Sequence, residues 1–110
     1  MAVKYHVIPE KRMVVATLNN TSMDAINKIA KMTDEFGCYA YQEKFSMPHN
    51  FRAVAVCHPM DTFDVEKGKQ IAKKKLMDKY YKNFDSKIAM FRKTVERLHA
   101  KAFREYNRAV

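Results

Sequence analysis

Cysteine is scarce in this chain, and neither Cys38 nor Cys57 has a second cysteine two to four residues away. Structural zinc sites draw their thiolates from such pairs, so a zinc knuckle or ribbon is excluded, and both residues read as small buried positions in strand-like segments. Histidine is no better organised: His6, His49, His58 and His99 stand singly, with no HExxH or HxH. No metal site and no cofactor are expected. Glycine is nearly absent too, and GKQ at Gly68 to Gln70 lacks both the Ser/Thr and the upstream glycine of a Walker loop, which argues against nucleotide hydrolysis. Long apolar runs are missing. Met13 to Leu18, among the longest, falls far short of the roughly 20 residues of a membrane-spanning helix. The opening MAVKYHVIPEKR has no apolar core or small-residue cleavage site, so a cytoplasmic protein with no membrane partner is expected.

What the chain has is positive charge. Its net charge is +9, and the excess is uneven: residues 64 to 110 hold 14 Lys and Arg against 6 Asp and Glu, whereas residues 1 to 63 hold 7 against 6. A field of that sign favours phosphate-bearing partners, nucleotides or nucleic acid, and its plain alternative is a solvated basic helix face. A hydrophobic content of 47% over 110 residues excludes wholesale disorder and suffices for one core. We therefore expect a single domain over 1–110, with a sheet and one helix in 1–60 and a helical segment in 61–110.

VKYHVI at 3 to 8 alternates, Pro9 to Arg12 supplies a turn, and Met13 to Leu18 is a second apolar run, together a hairpin. Thr21-Ser22-Met23-Asp24 resembles a capping box ahead of Met23, Ile26 and Ile29 at helical spacing, and Phe36-Gly37 closes that helix. CYAYQEK at 38 to 44 and FRAVAVC at 51 to 57 read as two more strands. In the second, Phe51, Ala53, Ala55 and Cys57 share one face, small enough for close packing by a helix, and Arg52, Val54, Val56 and His58 share the other. The expected class is α+β: a four-stranded, mainly antiparallel sheet in the order ββαββ, then a long basic C-terminal helix or helical hairpin.

Beyond Asp61, Phe84, Ile88, Phe91, Val95, Leu98 and Ala102 keep an a/d rhythm. At about 1.5 Å per residue a helix over 64 to 107 would run roughly 65 Å, too long to bury this seam on a small sheet. Either the chain folds back at Asn83-Phe84-Asp85-Ser86, or the helix pairs with a second copy; the unbroken rhythm favours a homodimer or higher homo-oligomer.

The stretch AVCHPMDTFDVEKGKQIAKKK, residues 55 to 75, gathers the candidate chemistry. Asp61 as N-cap, with Asp64 at N3 and a Met60–Val65 staple, explains both aspartates. Gly68 costs about 1 kcal/mol in a helix, which suggests close approach by the Ala-rich strand or by a flat ligand. In the ligand reading, Phe63 is a stacking platform, and Arg52, His58, Lys67, Lys69 and Lys73 beside a helix N-terminus receive an anion. A Cys57/His58 dyad is disfavoured because neighbouring strand residues point to opposite faces, and Asp61/Asp64 is ordinary capping chemistry. No enzyme is expected. Lys73-Lys74-Lys75, Lys79 and Lys82 with Tyr80, Tyr81 and Phe84 form a second basic surface suited to nucleic acid or a host protein.

An apolar strand followed by VCHPMDTFDxxxGxxIA resembles a motif in small proteins encoded by bacterial viruses, over Val54 to Lys75. The resemblance implies a small sheet followed by one or two helices, and extends to anti-defence sponges that sequester cyclic nucleotide or cyclic ADP-ribose signals without cleaving them. No ligand residue is carried over from it.

Overall fold

In the computed structural model, which describes residues 2–32 and 41–109, the chain is α+β, with a three-stranded antiparallel sheet and a long C-terminal helix. The elements are β1 (Lys4–Ile8), β2 (Met13–Asn19), α1 (Asp24–Met32), β3 (Asn50–Val56) and α2 (Val65–Ala109). They divide between two compact units, Met1–Ser22 with Pro48–Asn83 and Met23–Met47 with Phe84–Val110.

The first unit holds the sheet, in the order β1-β2-β3. The hairpin turns through a 3-10 segment, Pro9–Lys11, and closes on Arg12 in the left-handed region at φ 54°. Lys4 pairs with Thr17 and Ile8 with Met13; on the other side of β2, Met13 pairs with Val56 and Asn19 with Asn50. This register puts Val14, Ala16 and Leu18 opposite Ala55, Ala53 and Phe51, so the expected small-residue face of FRAVAV is the packed one. Val14, Ala16, Leu18, Ala53 and Ala55 are buried. Over them lies the stripe Gly68, Ala72, Leu76 and Tyr80 of α2, at helical steps of four. Ala72 and Leu76 are fully buried, and Tyr80 meets Phe51 edge-on, with ring centroids 5.6 Å apart. Burying a side chain such as Leu76 stabilises by about 1.5–3 kcal/mol, so this stripe anchors the unit.

At Gly68 the helix lies hard against the sheet. A Cβ there would stand 2.7 Å from Val14 Cγ2, so of the two readings offered by the sequence, packing explains the glycine, although the partner is a valine of β2 and not the alanines of β3.

The second unit pairs α1 with the C-terminal part of α2. Ile26 and Ile29 of α1, Phe45 and Phe91 form its core, with Ala30, Ile88 and Val95 packed against them; Phe45 and Phe91 meet edge-on at 5.4 Å. The seam expected to need a second copy is thus covered from Ile88 to Val95 within the chain. Nor does α2 fold back at Asn83 to Ser86: it is helical throughout. A fourth strand over 38 to 44 is not seen among the described residues, since Glu43–Phe45 is a 3-10 turn that drives Phe45 into this core. Cys38 to Ala40, and the expected helix end at Phe36-Gly37, lie outside the described residues.

Candidate functional site

The corner between β3 and α2 is built by a hydrogen-bonded loop. Cys57 N–H donates to Arg12 O over 2.9 Å, extending the β2–β3 ladder by one step, and Asp61 N–H donates to His58 O over 2.9 Å, closing a turn. The Arg12 side chain reaches into this loop. Its Nη2 donates to the carbonyls of Asp61 and His58 (3.3 Å to His58) and approaches Cys57 Sγ at 3.4 Å. A guanidinium suits the task because its fork of donors can satisfy several loop carbonyls at once.

Asp64, not Asp61, caps α2. Its Oδ1 accepts from Glu66 N–H at 3.0 Å and Lys67 N–H at 3.2 Å, while its carbonyl accepts the first helical bond from Gly68 N–H at 2.9 Å. The helix therefore starts at Val65, and the proposed Met60–Val65 staple is replaced by a cap whose N′ residue is Phe63. Two of the four N–H groups that the helix start leaves without a backbone partner, those of Glu66 and Lys67, are already taken by the Asp64 carboxylate, whose own charge repels an anion, so an anion here depends on side chains.

The six candidate ligand residues do not converge on one place. His58, Phe63 and Lys67 line a groove of about 570 Å³, together with Val56, Gly68 and Ile71. His58 is exposed, and its Nδ1 accepts from Met60 N–H at 3.1 Å, which leaves Nε2 as the outward nitrogen. Phe63 is half-buried, and Lys67 is exposed with no ion pair among the described residues. Arg52 lies further along β3, on a second groove of about 590 Å³ with Val54, Lys75, Asp78 and Lys79. Lys69 turns towards β1, where its Nζ sits 5.7 Å from the Tyr5 ring centroid and 3.6 Å from Glu66 Oε1. Lys73 is exposed and lines neither groove.

Cys57 and His58 both border the first groove but do not form a pair. The Cys57 thiol faces the carbonyls of His58, Asp61 and Thr62 at 3.5, 3.8 and 3.7 Å, and His58 Nδ1 is taken by its own turn. Among the described residues, no group of three His, Cys, Asp or Glu side chains is placed to hold a metal ion. Nor is any described helix long and apolar enough to cross a membrane.

Two features of the corner escaped sequence reasoning. Arg12 reads there only as a turn residue, and its link to the loop follows from the Met13–Val56 register, which the sequence does not display. Lys75 and Lys79 read as part of a basic run, yet Lys75 Nζ donates to Val54 O at 3.4 Å and Lys79 Nζ to Arg52 O at 3.0 Å. Their spacing of four, matched to alternate residues of β3, was the available signal. No family model, curated protein or solved structure matches the chain.

Proposed function

We propose that this protein is a non-catalytic binding protein that captures a small anionic ligand of nucleotide type at the β3–α2 corner. The observation that carries this reading is the groove in which Phe63 and Ile71 offer apolar surface beside Lys67, a cation with no partner among the described residues. Its volume, about 570 Å³, lies in the range of small-molecule sites. An aromatic face takes a base, and a lysine at the mouth takes a phosphate. The separate engagement of Cys57 and His58 favours capture over turnover. The setting suggested by the viral resemblance is sequestration of a cyclic nucleotide or cyclic ADP-ribose immune signal in the host cytoplasm.

Thermal unfolding in the presence of cyclic di- and trinucleotides, cyclic ADP-ribose isomers, inorganic phosphate and short DNA tests this reading, because a ligand bound only by the folded state raises Tm. The expected result is a rise with one cyclic nucleotide class, and its recovery intact after heat denaturation. A Tm moved by DNA alone would favour the second reading, a nucleic-acid or host-protein inhibitor acting through the exposed basic side chains of α2, among them Lys73, Lys74 and Lys82.

A further inference from the structure

The sheet leaves β3 with β2 as its only strand partner among the described residues. The carbonyls of Arg52 and Val54 accept from Lys79 and Lys75, side chains of α2, and so face away from β2. In an antiparallel strand a residue's N–H and C=O point to the same side, so the N–H groups of Arg52 and Val54 face that free edge as well, followed by those of Val56. These are the groups an added strand uses.

Strand and helix run past one another in step along this edge. Alternate residues of β3 recur at about 6.7 Å and every fourth residue of α2 at about 6 Å. Lys79 stands at Arg52 and Lys75 at Val54, and the same rungs continue through Ile71 and Lys67, which border the groove at Val56 and His58. Arg52, Lys75 and Lys79 meet one acid on the adjoining groove, Asp78, so the Arg52–Val54 end of the edge is positive.

We propose that the free edge of β3 takes an acidic protein segment in extended conformation as a fourth strand. The incoming backbone replaces the lysine bonds to Arg52 and Val54 with ladder bonds, and it gains the N–H donors of those residues. Every second side chain of an added strand faces α2, so carboxylates at alternate positions repeat at nearly the spacing of Lys75 and Lys79 and take up the displaced ammonium groups. Charge selects this occupant over a second copy of the chain, because a β3–β3 pairing would bring Arg52, Lys75 and Lys79 of two basic protomers together. Lysine on a strand edge discourages such self-pairing, and here it also supplies the recognition.

The test uses the full chain and a fluorescein-labelled eight-residue peptide of alternating glutamate and valine, capped at both ends, with binding read by anisotropy. Saturable binding is expected, with at least a tenfold loss when lysine replaces glutamate in the peptide. The Lys75→Gln/Lys79→Gln variant should lose at least tenfold as well, with an unchanged circular dichroism spectrum. Two further peptides, N-methylated on alternate backbone nitrogens in opposite phase, report on the ladder whatever happens to the protein variant. One phase should weaken binding at least tenfold and the other should not. Equal binding by the two methylated peptides, or an unlabelled lysine-valine peptide competing as well as the acidic one, overturns the proposal, as does the absence of binding by the acidic peptide.

Discussion

Gly68 of α2 faces Val14 of β2 with no room for a methyl group: a Cβ on the glycine would lie 2.7 Å from Val14 Cγ2 and 3.4 Å from Val14 Cβ. Val14 is fully buried and β-branched, so it has little rotamer freedom with which to step aside. Alanine at 68 gains about 1 kcal/mol of helix propensity and meets an overpacking cost of about 1–3 kcal/mol. Gly68→Ala is expected to lower stability by up to about 2 kcal/mol in denaturant unfolding. In a double-mutant cycle with Val14→Ala, the two changes should be coupled favourably by at least about 0.5 kcal/mol. Equal or greater stability of Gly68→Ala would show that the contact is loose.

The two aspartates of the corner should behave unequally. Asp64→Ala removes the acceptor for two N–H groups at the start of α2 and is expected to cost about 1 kcal/mol. At Asp61 it is the backbone N–H and C=O that bond, so Asp61→Ala should stay within about 0.5 kcal/mol of the parent. Reversed costs in urea unfolding would return the cap to Asp61.

Arg12 combines a left-handed backbone with a side chain that holds the loop over 57 to 61. Both Arg12→Ala and Arg12→Gly lose the guanidinium bonds, but only glycine adopts φ 54° without strain. Arg12→Gly is therefore expected to be the more stable variant by about 1 kcal/mol, the reverse of the usual order of these two residues. The comparison is read from their unfolding midpoints.

Thr21 is buried, and its hydroxyl donates to Pro48 O at 2.6 Å and lies 3.2 Å from His49 O. Thr21→Val keeps the shape and removes the donor, so a loss of about 1–2 kcal/mol is expected by calorimetry. No change would mean that water takes over the freed carbonyls.

At the groove, Phe63→Ala and Lys67→Ala are each expected to weaken a bound cyclic nucleotide about tenfold, which corresponds to about 1.4 kcal/mol. Lys73→Ala, outside the groove, should change affinity less than about twofold. Titration calorimetry separates these cases, and equal losses at all three positions would indicate a diffuse electrostatic attraction in place of a site.

The elements most legible in the sequence were those whose periodicity is local. The hairpin, α1 and FRAVAV were recoverable because alternation and helical spacing declare both the element and its buried face, as Ala53 and Ala55 against Arg52 illustrate. YQEK, the described part of CYAYQEK, runs into a 3-10 turn because alternation over a few residues does not fix a strand, and Phe45, just past its end, is placed by the Ile26, Ile29 and Phe91 contacts of another part of the chain. The a/d rhythm of α2 marks a packed stretch from Ile88 to Val95, while Ala102 of the same rhythm is exposed, and periodicity does not say which surface covers the stretch. At the corner, Phe63 and Lys67 were reachable from sequence, whereas Arg12 and the pairing of Lys75 and Lys79 with strand carbonyls depend on register and on which edge of the sheet is free.

The lysines along β3 also govern how the protein should be handled. Carbamylation by cyanate in aged urea, or acetylation, converts each ammonium into a neutral urea or amide. Arg52 is then the remaining cation of the edge, and Val54 and the 65% exposed Val56 are left without the lysines that guard them. Material modified in this way is expected to form thioflavin-positive aggregates on refolding, while protein refolded from fresh guanidinium stays clear.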